Sequence, residues 1–139
     1  MIAVPNIDSG QARVTRHHWF HLDLPRHYSH FSERWLRTAL DGAGFRVLTV
    51  NHFALEHNLF GWIQSLLNCC GLPHNLLYDL LRRPSARTIR RPFRTYPVPS
   101  VLSAVGLAVL LLPACLMVAI DALTRRGATI ELFARKEAA

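Results

Sequence analysis

Cysteines are few here, and none is spaced for chemistry. Three occur; Cys69 and Cys70 are adjacent and Cys115 stands apart, so no CxxC pair exists. That excludes a recognisable zinc module and a disulfide framework, and reduced thiols in a cytoplasmic protein are the simplest account. The opening MIAVPNIDSG lacks a basic segment and a long apolar core, so no signal peptide is expected there. Carboxylates are scarce too: nine Asp and Glu stand against sixteen Lys and Arg in 139 residues, a net charge of +7. The excess is concentrated in one place. Arg82, Arg83, Arg87, Arg90, Arg91 and Arg94 have no acid among them. Such a cluster suits nucleic acid or an anionic membrane surface. An uncharged stretch follows directly, which favours anionic lipid and argues against a nucleic-acid partner; a solvated linker is the plain alternative.

That stretch is Val98–Ile120, 23 residues with no charged side chain. It exceeds the roughly 18 apolar residues expected of a membrane-spanning helix. Pro113 lies inside it, and proline removes a helix hydrogen bond and crowds the preceding turn.

The rest of the chain, at most one domain in length, alternates strand and helix signals. Ile2–Val4 reads as the end of a buried strand that stops at Pro5-Asn6. Ile7–Phe31 is an ordered loop rich in histidine and aromatics, with one helical turn near Gln11–Thr15. Ser32 caps a helix with Trp35, Leu36, Ala39, Leu40 and Ala43 on one face, and Gly44 ends it. Phe45–Phe53 reads as a strand. Asn58–Leu81 holds two short helices separated by Gly71 and Pro73, suited to a core or to a membrane interface. Ala128–Arg135 is a last strand, with Ile130, Leu132 and Ala134 on one face.

Four segments carry a family resemblance: PNIDSGQAR at 5–13, WFHLDLPRHYSHFS at 19–32, LDGAGFRV at 40–47 and NLFGWIQSLLN at 58–68. Together they resemble the C-terminal half of class I S-adenosylmethionine-dependent methyltransferases, in a bacterial branch similar to ubiquinone-biosynthesis enzymes. The resemblance implies an α/β fold: the C-terminal part of a Rossmann-like, mostly parallel sheet, starting at the fifth strand, with a helical membrane-associating insertion before the last strand. Residues 1–57 form the partial methyltransferase fold, 58–97 the amphipathic helices and basic linker, 98–124 an apolar hairpin or span, and 125–139 the final strand and tail.

It also implies S-adenosylmethionine as cofactor, but the glycine-rich turn that holds it belongs to the missing half. Gly42-Ala43-Gly44 is no substitute, because it ends a helix and precedes a strand, whereas a cofactor loop follows a strand and opens a helix. This chain alone is expected not to bind the cofactor.

Site residues follow on the same footing. His27 and His30 are the catalytic candidates, since a histidine can take the proton of a methyl acceptor; the alternative is that Arg26, His27 and His30 bond the loop to itself. Asp23 and Arg26 are substrate-side residues or a salt bridge across Leu24-Pro25. Asn6, at the end of the first strand, lies where open α/β sheets place ligands. His18-x-x-His21 and His27-x-x-His30 invite a metal, but no further ligand has recognisable spacing, so none is expected. The functional expectation is a partial methyltransferase on the cytoplasmic face of the membrane, acting on a lipid, quinone or sugar acceptor once completed by its missing half. The alternative is a small non-catalytic membrane-anchored interaction protein.

If the last two strands pair, both ends of the apolar stretch must emerge on one side. Val101–Leu112 and Ala114–Leu123 are each too short to cross a hydrocarbon core of about 30 Å. Arg90-Arg91 and Arg125-Arg126 flank the two ends. A helical hairpin broken at Pro113 is therefore expected.

Overall fold

The computed structural model describes residues 1–23, 27–82 and 94–137. Over these residues it is a mixed α/β fold of five helices and a three-strand antiparallel sheet. In chain order these are β1 (Ile2–Pro5), α1 (Gly10–Thr15), two 3-10 turns (Arg16–His18 and Phe20–Leu22), α2 (Glu33–Gly42), β2 (Phe45–Asn51), α3 (Leu55–Cys69), α4 (Leu76–Leu81), α5 (Pro97–Thr124) and β3 (Thr129–Lys136).

The strand order is β1-β3-β2. β3 is antiparallel to both neighbours, with Ile2 opposite Leu132 on one side and Val50 opposite Leu132 on the other. β1 and β2 therefore run parallel, with α2 on the connection between them. Leu48 is the extra residue of a bulge, because the register shifts between Val47 and Thr49.

α2 starts where the Ser32 hydroxyl accepts the Trp35 N–H at 3.2 Å, and stops at Gly44, whose φ of 75° suits glycine. Its buried face is narrower than its sequence implies. Leu36 and Leu40 pack on Ile130, Leu132, Val47 and Val50 of the sheet, whereas Trp35 is 55% exposed and stacks on Phe31.

A second core lies among the later helices, where Trp62, Ile63 and Leu67 of α3 meet Leu77 of α4 and Ala114 and Val118 of α5. α3 and α5 are antiparallel: Trp62 Nε1 donates to Asp121 at 2.7 Å, while Leu67 lies against Gly106. Polar pins join the two cores. Asn58 of α3 accepts the Ala128 N–H at 2.8 Å just before β3. Asn6 donates to the Gly127 carbonyl at 3.0 Å.

The break expected at Pro113 is absent; α5 is one helix of 28 residues, about 42 Å long. Tertiary packing overrides the proline. Leu107 and Leu110 before it, and Ala114 and Val118 after it, sit against the same helical layer. Breaking the helix would uncover that stripe. Val109, whose carbonyl would lose its intrahelical partner to Pro113, is on the open side. The expected hairpin within the apolar stretch is therefore not formed; α5 packs instead along α3. β2 and β3 pair as expected.

α5 presents two opposite stripes. Ser100, Ser103, Ala114, Val118 and Asp121 are buried against the body. Val98, Val101, Val105, Val109, Leu112, Leu116, Ile120 and Leu123 are exposed, Leu112 at 80% and Leu123 at 86%. By length and composition α5 is apolar enough to cross a membrane. Beside α3, Asn68 donates to the His18 carbonyl at 3.0 Å and Ser65 accepts the Phe20 N–H at 2.8 Å. A polar loop thus runs up to the level of Gly106.

Candidate functional site

The histidine-rich loop is fixed from its N-terminal side. The Ser9 hydroxyl accepts the Ala12 N–H at 3.1 Å and starts α1. α1 buries Gln11, whose amide donates to the Asn58 carbonyl at 2.6 Å. Trp19 is then buried between the two 3-10 turns, and the bond from Phe20 to Ser65 aims the following residues at α3 and α4.

The result is a cleft of about 410 Å3 whose lining includes four imidazoles, His21, His27, His57 and His74, and two carboxylates, Asp23 and Asp79. Phe20 and Tyr78 close one side with ring centroids 5.3 Å apart. His21 and His57 are 6.2 Å apart. Burial lowers the pKa of His21 to about 4, helped by His57 and His27, against a His57 backbone group and Asp23. His21 is therefore neutral at pH 7. Its Nε2, Trp19 Nε1 and Gln11 Oε1 are buried without hydrogen-bond partners among the described residues. Gly61 lets them approach α3: a Cβ there would lie 2.5 Å from Gln11 Oε1 and 3.0 Å from His21 Nε2.

His27 and His30 stay close, with ring centroids 6.2 Å apart, but of the two only His27 lines the cleft, as does Asp23. Asp23 has a φ of 26°, and its carbonyl accepts the His27 N–H at 3.3 Å. His30 stands behind the cleft, 5.7 Å from Trp19, with Nε2 3.2 Å from the His21 carbonyl oxygen. Arg26 lies outside the described residues, as do Arg83, Arg87, Arg90 and Arg91 of the basic linker. His57 and His74 come from α3 and the α3–α4 turn, and no spacing links them to the loop in the sequence. His21 was visible only as half of His18-x-x-His21.

Asn6 is elsewhere. It is buried, and its side chain is used twice, on the Gly127 carbonyl and on the Asp8 N–H at 3.1 Å. It forms the floor of a second concavity of about 500 Å3 at the carboxyl ends of β1 and β2, dominated by arginines. There, burial opposes ionisation of Glu33, but bonds from Arg37 and His52 outweigh it and hold its pKa below the usual carboxylate value.

Among the described residues, no three His, Cys, Asp or Glu side chains converge closely enough to hold a metal ion. Gly42-Ala43-Gly44 lies at the C-terminal end of α2 and leads into β2, so its N–H groups do not open a helix toward a ligand.

The neutral state of His21 makes stability depend on pH. Its folded pKa is below the unfolded value of 6.5, so the unfolded chain binds the proton first as pH falls. The His21 contribution is full above pH 6.5 and is lost toward pH 4, by up to about 3 kcal/mol, while Asp121, whose pKa burial raises to about 6, acts in the opposite sense over the same range. The difference in urea unfolding between His21→Gln and wild type should therefore shift in favour of the variant as pH falls from 6.5 to 4.

Comparison with protein-family models, with curated proteins and with solved structures finds no match.

Proposed function

We propose that this chain is the substrate-side, membrane-binding half of a methyltransferase. It lies on the cytoplasmic face of the membrane and acts on a lipid, quinone or sugar acceptor once a cofactor-binding half completes it. The observation that carries this reading is the sheet. Two parallel strands flank an antiparallel third, and the outer edge of β1 pairs with no other strand among the described residues. That edge is where the resemblance puts the missing strands. An unpaired edge is a ready site for strand addition.

Two further features fit. His27 stands in an imidazole-lined cleft, where it would take a proton from an acceptor hydroxyl or amine. The exposed stripe of α5 would hold that cleft beside the bilayer, in the plane of the interface. S-adenosylmethionine would supply the methyl group from the other half; no residue of this chain is assigned to hold it.

Calorimetry separates this from the reading as a non-catalytic membrane-anchored protein. S-adenosylmethionine should give no binding heat with the 139-residue chain alone. It should bind when the chain is joined to a segment encoding a strand followed by a GxGxG-type turn, if one is found in frame upstream of Met1. Tight binding to the chain alone contradicts the proposed division of labour. Upstream DNA without coding potential favours the non-catalytic reading.

A further inference from the structure

The arginine concavity is built from three separate stretches. Arg13 comes from α1, Arg34 and Arg37 from α2, and Arg125 and Arg126 from the turn after α5. Two carboxylates face them, and both are occupied. Asp8 is 3.8 Å from Arg13, and Glu33 is shared between Arg37 at 2.6 Å and His52 at 2.8 Å. Arg34, Arg125 and Arg126 have no ion pair among the described residues. Arg126 also acts on Asp121, but that carboxylate is buried and bonded to Trp62.

The last two arginines are held in place. Arg125 has φ 54° and ψ 41°, a conformation that a residue with a Cβ keeps only when its surroundings impose it. Here the Arg126 N–H donates to the Asp121 carbonyl at 2.9 Å, and the Arg126 carbonyl accepts the Gly10 N–H at 3.0 Å. Gathering cations this way is unfavourable unless an anion joins them. A guanidinium fork matches the oxygens of a phosphate and can bind two at once.

Location points to the source. The exposed apolar stripe of α5 ends in Ile120 and Leu123, and the next residue, Thr124, lines the pocket. We infer that this pocket binds a phosphate group, presented as the headgroup of an anionic lipid whose tails lie along the end of α5. The inference is independent of the methyltransferase reading. The membrane placement of α5 bears only on whether the phosphate is lipid-borne or free.

The test compares the full chain on phosphatidylcholine vesicles containing phosphatidic acid with vesicles given the same negative charge by oleate. The wild type should prefer the phosphate-bearing vesicles by about tenfold, as charge-assisted bidentate contacts imply. Arg34→Gln with Arg126→Gln should abolish that preference. Arg82→Gln with Arg94→Gln removes equal charge outside the pocket and should keep it, even if total binding falls. Inorganic phosphate, followed by NMR of the arginine Nε–H groups, separates the sources. If phosphate shifts the Arg34 and Arg126 signals and erases the preference, the pocket takes the phosphate group from either source. If it does neither and the preference holds, only the lipid headgroup is bound. If phosphate shifts those signals but no vesicle binds, the ligand is free phosphate. No preference and no shift overturns the inference, as does equal loss of preference in both double variants.

Discussion

Replacing Leu112 and Leu116 with Asp should release the protein from membranes. Both side chains point away from the body, Leu112 at 80% and Leu116 at 59% exposed, so neither stabilises the fold by packing. Each belongs to the outward stripe opposite the buried Ala114 and Val118. A leucine exchanged for aspartate at a lipid-facing site costs on the order of 1–3 kcal/mol at interfacial depth, so the pair should weaken vesicle partitioning about 100-fold or more. Circular dichroism and the thermal midpoint in detergent should stay close to wild type. Unchanged partitioning would mean that the stripe covers something other than lipid.

Gly127→Ala should prevent the two cores from joining. A Cβ at this position would run into the His52 carbonyl oxygen, a backbone atom that cannot swing aside. The same few residues carry the bonds from Asn6 to the Gly127 carbonyl and from the Ala128 N–H to Asn58. Moving the strand entry to make room would break these buried bonds, leaving polar groups unsatisfied at about 1–3 kcal/mol each. The expected destabilisation is at least about 3 kcal/mol, a large share of the 5–15 kcal/mol typical of a folded domain. Gly42→Ala is the matched control. It meets nothing within 4 Å at the end of α2, so it should be neutral or stabilise by up to about 1 kcal/mol. Urea unfolding in detergent measures both, and a mild effect at Gly127 would show that the β2–α3 corner is looser than drawn.

These two sites also show what the sequence could reveal. β2, β3 and α2 were legible because their signals are local: an alternating apolar run, a serine cap, a glycine stop. β1 was read as the end of a buried strand, but it is an edge strand with Ile2 and Ala3 exposed. The pairing of β2 with β3 was legible as well. The continuity of α5 was not. A proline predicts a break from local propensity, whereas the packing of Leu107, Leu110, Ala114 and Val118 on α3 is a property of the folded molecule. The same limit hid the sites. His21, His57 and His74 come from three segments, and the arginines beside Asn6 from three others, with no fixed spacing to link them. Asn6 was singled out for its place at a strand end, and it does lie at the carboxyl end of β1. Its side chain is spent on Gly127 and Asp8, so its contribution is to hold the floor of the pocket.

The central claim is that α5 lies in the plane of the interface, with both of its ends on one side and the sheet beside them. Labelling with a membrane-impermeant maleimide in sealed vesicles tests it most directly. Cys69, Cys70 and Cys115 are all exposed, so the first two are replaced by serine and Cys115 is kept as the probe of the helix. Arg94→Cys and Lys136→Cys, each made in a background free of the three natural cysteines, probe the two flanks. The account predicts that positions 94 and 136 react from the same face, and that Cys115 reacts only after detergent is added. Reaction of 94 and 136 from opposite faces would make α5 a transmembrane span and contradict the account.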